Sequence, residues 1–368
     1  MEYIKGADVS SLLEVERVGG RFYDGGRERE LYDILADYGI NYIRLRLWND
    51  PYAPDGRAYG GGTNDLPAVT ELALRAKKHG MKVLLDYHYS DFWADPGKQT
   101  LPKAWRGKSV DELEKAVYDY TSDTLEALGR AGAAPDMIQI GNEMTNGLMW
   151  PCGRVPEYDN IARFVGAGIR AARKVCPRAR IMLHLDNGGR NDLYRGWFDN
   201  YTARGEDFDI IGLSYYPFWH GTMEALKSNM DDIAVRYGKD LVIAEVSMGY
   251  TMEDYASYEG LPPDKRKGMA TKPKLVAEIE HSMTVEGQCD FLRDLFKIID
   301  EVPNGRGRGF FYWEPAWIPV KGCEWATPAA LEYTGEKGPG GNEWANQALF
   351  DYEGNALPSL RVIKDLKE

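Results

Sequence analysis

Eight short apolar runs recur along this chain, and each ends in a polar or aromatic residue. They cover residues 3–10, 42–47, 82–88, 136–143, 180–185, 210–216, 241–245 and 309–313. Runs of this length that are apolar nearly throughout, rather than alternately, belong to strands covered on both faces, the condition of a parallel sheet. Helical patterns lie between them. Leu31, Ile34, Leu35 and Tyr38 share one face of a helix expected over 27–38, with Gly39 as its stop. Val69, Leu72, Ala73 and Ala76 form a second stripe, and Leu113, Val117, Tyr120, Leu125 and Leu128 a third, behind a Ser109 cap. Ile161, Phe164, Val165 and Ala172 form a fourth, Phe291, Leu292, Leu295, Phe296 and Ile299 a later one, and a last helix starts after Pro358. Eight strand–helix units predict an α/β chain closed into a (β/α)8 TIM barrel. An open doubly wound sheet would call for a Gly-rich phosphate turn after an early strand, and Gly60-Gly61-Gly62 neither has that spacing nor opens a helix. No Pro- or Ser-rich linker interrupts the pattern, so residues 1–368 are read as one domain, with long loops after strands three, seven and eight.

Charge narrows the partners. The net charge is −12, which disfavours nucleic acid and anionic membrane and is compatible with a neutral ligand. No apolar stretch reaches membrane-span length. Ten tryptophans and 23 tyrosines, many of the tryptophans beside turns, point to rings used for contact. Cys152, Cys176, Cys289 and Cys323 form no CxxC pair, so zinc and redox spacings are absent and free thiols are expected, with one disulfide as the alternative. The chain begins directly with strand-like residues: a cytoplasmic location is expected if Met1 is the native start, and secretion if a leader has been removed.

In such a barrel chemistry gathers at the C-terminal ends of the strands. Those ends carry Asp8; Arg46, Trp48 and Asn49; Asp86 and His88; Asn142 and Glu143; Asp186 and Asn187; Tyr215; Glu245; and Trp313 and Glu314. Glutamate is depleted from strands and rarely buried unless paired, yet two apolar strands, the fourth and the seventh, end in Glu143 and Glu245. Two carboxyl groups facing each other are what acid–base cleavage of a glycosidic bond requires, in either the retaining or the inverting spacing. Arg46 supplies a permanent cation that can hold a carboxylate ionised, and reads equally as an ion-pair partner of Asp86. Asn142 can bond a sugar 2-hydroxyl, and Trp313 offers a floor for a pyranose ring, or core packing. His88 on its own reads more simply as a hydrogen-bonded histidine than as a ligand; with no HExxH present, no metal site is expected. Trp93 sits in the long loop after strand three, and the charged stretch 249–284 reads as a solvated loop or as a wall of a substrate groove.

Several of these stretches resemble glycoside hydrolase family 53, the endo-β-1,4-galactanases. They are Arg44-Leu45-Arg46-Leu47-Trp48, the run from Asp86 to Gln99, Gly141-Asn142-Glu143, Ala244-Glu245 and residues 346–351. The run from Asp86 to Gln99 is the most specific; Asn-Glu alone would also suit cellulases, mannanases and xylanases. The resemblance covers nearly the whole chain. It implies a retaining double displacement with Glu143 as acid/base and Glu245 as nucleophile, acting inside β-1,4-galactan, the side chains of pectin and arabinogalactan. It implies substrate contacts from Arg46, Trp48, Asp86, His88, Trp93, Asn142, Asp186, Asn187, Tyr215 and Trp313. A monomer needing no cofactor is expected. Some bacterial members look to bind calcium between the loops after strands seven and eight. The matching run here, residues 251–259, keeps acids but lacks the spaced Asp, His and Asn, which counts against calcium. Two rivals remain open: a related glycanase acting on mannan, xylan or cellulose, and a carbohydrate-binding barrel without catalysis.

Overall fold

The computed structural model describes residues 2–253, 270–338 and 340–366. Eight parallel strands close into a barrel: β1 (Ile4–Asp8), β2 (Tyr42–Leu47), β3 (Lys82–Tyr87), β4 (Met137–Ile140), β5 (Arg180–Leu185), β6 (Ile210–Tyr215), β7 (Asp240–Val246) and β8 (Gly307–Trp313). Each strand pairs with its sequence neighbours, and β1 closes the ring by pairing with both β2 and β8. The helices that follow successive strands are α1 (Leu31–Asp37), α2 (Leu66–Lys78), α3 (Val110–Ala131), α4 (Tyr158–Val175), α5 (Asn191–Thr202), α6 (Met223–Tyr237), α7 (Val285–Asp300) and α8 (Pro358–Asp365). Ser109 caps α3 in a reciprocal capping box with Glu112, as its position in the sequence predicts. No helix among the described residues is long and apolar enough to cross a membrane.

Strand residues alternate between two cores. Ile4, Tyr42, Leu84, Met137, Met182, Ile210, Val242, Ala244 and Phe311 fill the barrel interior. Their neighbours, such as Ile43, Val83, Ile138, Ile181, Ile211 and Ile243, pack outward in the large helix-facing core. Gly6 leaves room for this filling, since a Cβ there would lie 2.3 Å from the Phe311 ring. Two residues further along β2 to β5 the interior turns polar with Arg44, Asp86, Gln139 and His184, joined from β6 by Ser214, all of them buried. The apolar plug therefore supports a polar floor, and the floor supports the cavity above it.

Two elements differ from the sequence expectation. Residues 27–29 are not helical: Phe22–Asp24 and Arg27–Arg29 form an antiparallel hairpin, and α1 starts only at Leu31. The cause is Gly25-Gly26, both at positive φ, a two-residue turn that glycine adopts without steric cost. The long loop after β8 contains a helix of its own, Pro328–Thr334, capped by Thr327. All four cysteines are free, with Cys289 and Cys323 buried. Of the run considered for calcium, residues 254–259 lie outside the described residues, as do residues 260–269 of the loop after β7.

Candidate active site

A cavity of about 300 Å³ sits over the C-terminal ends of the strands. Its walls are aromatic, from Trp93, Tyr216, Trp219, Trp313, Trp325 and Trp344, and its floor holds Arg44, Asn142, Glu143 and Glu245. The loops after β3 and β8 are tied together along one side, where Trp93 Nε1 donates to the Trp325 carbonyl at 3.0 Å and Lys98 pairs with Glu336 at 2.9 Å.

Glu245 reaches the cavity through an irregularity of the backbone. Regular alternation, with Val242 and Ala244 inside, would turn Glu245 outward. The pairing with β6 instead runs from Leu213–Ile243 directly to Ser214–Glu245, so one extra residue is accommodated and Glu245 joins Ser214 on the inner face. There its Oε1 meets Arg44 Nη2 at 2.9 Å and its Oε2 accepts from the Tyr216 hydroxyl at 2.9 Å. Arg44 also pairs with Asp8 at 2.8 Å and with Asp86 at 2.9 Å, and donates to Asn142 Oδ1 at 2.9 Å. Burial opposes the Arg44 charge, and Asp86, Glu245 and Asp8 more than offset that. Burial pushes the Glu245 carboxyl up to about 7, with Arg44 and Tyr216 working the other way in favour of the ion.

Glu143 follows Gly141 and Asn142 where β4 breaks, and it sits at φ 46, ψ 52, left-handed backbone that a non-glycine residue rarely adopts. Its Oε1 accepts from the Ser214 hydroxyl at 2.6 Å. Among the described residues no Lys or Arg forms an ion pair with it. Burial pushes its carboxyl well above the usual range, and the negative charges of Glu245 and Asp186 add to this. Asp186 is held up to about 6 by burial, although Thr145 and Asn187 both donate to it. Both glutamates are raised by burial, but their neighbours differ: Arg44 and Tyr216 favour the ion at Glu245, whereas acids surround Glu143 and only the Ser214 hydroxyl works the other way. A carboxylate oxygen of each and a ring nitrogen of His184 lie within 4.8 Å of one another. Both His184 nitrogens are engaged in hydrogen bonds, Nε2 with Ser214 and Nδ1 with Gln139 and Asn142, and burial holds the ring well below its ordinary range, hence neutral.

The structure gathers Glu143, Glu245, Arg46, His88, Trp93, Asn142, Asp186 and Trp313 around the cavity. Four other expected contacts do not line it. Tyr215 points outward, donating to the Gly221 carbonyl and stacking on Phe291, while its neighbour Tyr216 points in. Trp48 lies in an apolar cluster with Tyr59 and Phe92, and its Nε1 donates to His88 Nδ1 at 3.2 Å. Asp86 is fully buried in the floor, held by Arg44 and Gln139. Asn187 bonds back to Asp186 from left-handed backbone. The Arg46–Asp86 pair expected as one reading is not formed: Arg46 pairs with Glu314 and Asp8 and stacks over Trp93 at 4.3 Å, and the arginine on Asp86 and Glu245 is Arg44. The sequence carried the signal for Arg44, because residues 44 and 46 share one strand face.

Comparison with known proteins agrees with this geometry. The model of glycosyl hydrolase family 53 matches residues 4–363. An endo-beta-1,4-galactanase of Bacillus subtilis (strain 168) is 37% identical over 382 residues, covering 99% of this chain and 86% of its own. An arabinogalactan endo-beta-1,4-galactanase of Humicola insolens is 34% identical over 324 residues, covering 85% of this chain and 90% of its own. Among solved structures, the GH53 catalytic domain of Ignisphaera aggregans superposes with a TM-score of 0.91 at 40% identity, covering 100% of this chain and 97% of the other.

Proposed function

From the premise that this chain belongs to glycosyl hydrolase family 53, we infer that it is an endo-β-1,4-galactanase that cleaves internal bonds of galactan and arabinogalactan side chains. The observation that carries the mechanism is the carboxyl pair of opposite character. Oxygens of Glu143 and Glu245 within 4.8 Å suit the close spacing of a retaining enzyme, about 5–5.5 Å between carboxyl groups, and leave no room for the water of an inverting one.

In the first half-reaction Glu143 gives its proton to the leaving glycosidic oxygen while Glu245, ionised beside Arg44 and Tyr216, attacks the anomeric carbon. Loss of that proton leaves Glu143 a carboxylate, and the formation of a neutral ester at Glu245 removes the charge that had held Glu143 protonated. Glu143 then takes a proton from water, which opens the ester and releases the sugar with retained configuration. Each step is supplied by carboxyl groups, so the reaction as proposed needs no cofactor. Trp313, Trp344 and Trp219 give neutral rings faces to stack on, suited to a sugar without charge.

The test is reducing-sugar release from debranched β-1,4-galactan, with β-1,3-galactan, mannan and xylan alongside and products sized by chromatography. Mixed oligosaccharides from the β-1,4 polymer alone are expected. Glu143→Gln and Glu245→Gln are each expected to lower kcat by roughly three orders of magnitude or more while remaining folded. Near-normal turnover in either variant would remove that residue from its role.

A further inference from the structure

Ser214 lies between two partners. Its hydroxyl is 2.6 Å from Glu143 Oε1 and 2.8 Å from His184 Nε2, and all three residues are buried. A serine hydroxyl has one proton, so it can donate to only one of these neighbours. The tautomer of His184 sets which. His184 Nδ1 lies 3.1 Å from Gln139 Nε2, a donor that also reaches Asp86 Oδ1 at 2.6 Å, the Gly141 carbonyl at 3.1 Å and Asn142 Oδ1 at 3.1 Å, and 3.0 Å from Asn142 Oδ1, an acceptor that also takes Arg44 at 2.9 Å. With Nδ1 accepting from Gln139, the ring proton sits on Nε2 and points at the serine oxygen. The Ser214 proton is then turned onto Glu143 Oε1.

We propose that His184 and Ser214 are positioning residues for Glu143, a buried pair that occupies Oε1 as an acceptor and so keeps the transferable proton on Oε2. The proposal rests on the reading of Glu143 as acid/base. Burial keeps His184 well below its ordinary range, hence neutral, which preserves the single-proton ring that the arrangement needs. Three acids, Glu245 from β7, Asp186 from β5 and Asp95 from the loop after β3, act on Glu143 by raising it, while the Ser214 hydrogen bond acts to lower it. Arg44, a cation of the floor, is engaged by Glu245, Asp8 and Asp86. The serine is therefore the neutral counterweight to three negative charges, and it also fixes which oxygen of Glu143 faces the leaving group.

The test compares galactan, whose leaving sugar must be protonated, with 2,4-dinitrophenyl β-galactobioside, whose phenolate leaves without a proton. In Ser214→Ala, kcat/KM on galactan is expected to fall about tenfold or more, the scale of one hydrogen bond to an ionisable group. On the dinitrophenyl substrate it should stay within about twofold, and the alkaline limb of the galactan profile should move to higher pH. Ser214→Thr, which keeps the hydroxyl, and His184→Gln, whose amide can still donate at the Nε2 position, should recover part of the loss. Nitrogen-15 spectra of histidine-labelled protein should show His184 as the Nε2–H tautomer. An equal loss on both substrates with an unmoved alkaline limb, a fully active Ser214→Ala, or an Nδ1–H tautomer would each overturn the proposal. Glu143→Gln keeps the two levels apart: if it is inactive on galactan and active on the dinitrophenyl substrate while Ser214→Ala behaves as the native protein, only the positioning role fails.

Discussion

Asp186 offers the sharpest energetic test of the site. It closes β5 next to Glu143, is 3% exposed, and is pushed by burial from 3.8 to about 6. A carboxyl raised in this way binds its proton more tightly in the folded chain than in the unfolded one. Its contribution to stability is fully present below about pH 4, is lost as pH rises through about 6, and stays lost above that. The interval between 3.8 and about 6 corresponds to about 3 kcal/mol at ~1.36 kcal/mol per pH unit. Asp186→Asn keeps the neutral shape at every pH. The Thr145 hydroxyl can still donate to the amide oxygen, whereas the Asn187 amide, which now donates to Asp186, loses its acceptor. That loss is the same at all pH values and drops out of the pH-dependent part. Urea unfolding of both proteins from pH 4 to pH 8 at constant ionic strength should show the difference, variant minus native, growing in favour of the variant by about 3 kcal/mol between the ends. Glu245 and Glu314 titrate in both proteins and largely cancel, while Glu143, which the Asp186 charge raises, is relieved of that charge in the variant and adds to the difference in the same direction. A difference independent of pH would refute the reasoning, and one growing in favour of the native protein would mean that Asp186 is held ionised.

Three further outcomes follow from the geometry. Tyr216→Phe removes the hydroxyl that donates to Glu245, a bond to a charged acceptor worth about 1.5–3 kcal/mol, so kcat/KM on galactan should fall by about one to two orders of magnitude and the acid limb of its pH profile should move up; an unchanged profile would detach Tyr216 from Glu245. Arg44→Met leaves Asp8, Asp86 and Glu245 without their shared cation and should destabilise the fold by about 3–5 kcal/mol in urea unfolding, a result that native-like stability would contradict. Trp219, 40% exposed at the cavity wall, should give a Trp219→Ala variant with a severalfold higher KM for long galactan and a Tm within about 2 °C of native, since little of the core depends on it; an unchanged KM would place the ring outside the binding path.

Much of the scaffold was legible because it follows from period and length. Apolar runs of strand length separated by amphipathic helices leave few architectures, and the observed strands fall within a few residues of the expected ones. Short-range turn chemistry was overlooked at Gly25-Gly26, where the apolar stripe of α1 was extended back into a hairpin. At the site, the rule that chemistry sits at strand ends located seven cavity residues, including both glutamates, and Trp93 came from the loop after strand three. It did not say which neighbour at a strand end points inward. Regular alternation does: Tyr42, Arg44, Arg46 and Ile210, Gly212, Ser214, Tyr216 are same-face series, and they select Arg44 over a purely outer role and Tyr216 over Tyr215. Partners such as His184 and Ser214 belong to the same inner faces, one step below the rim.

Alternation also marks where the backbone must depart from it. Asn142 and Glu245 are out of step with the inner series of β4 and β7, as Glu314 is with that of β8, yet all three side chains bond to inner arginines. Each is reached through a departure: positive-φ backbone at Gly141 directly before Asn142, the extra residue ahead of Glu245, and left-handed backbone at Glu314 itself, with Glu143 left-handed as well. Such left-handed positions cost about 1–3 kcal/mol each for residues with a side chain. The interactions that offset this cost are concentrated at the same places, with Arg44 on Asn142 and Glu245, and Arg46 and Ser11 on Glu314. A strand end that kept its regular phase would present one polar side chain in two. By breaking phase, β4 delivers an amide and an acid side by side, and β7 delivers a carboxylate directly above the guanidinium of β2. The departures at the rim are therefore part of how the carboxyl pair comes within reach of one glycosidic bond, with Ala244 the extra residue that lets β7 set both its apolar plug and Glu245 on the inner side.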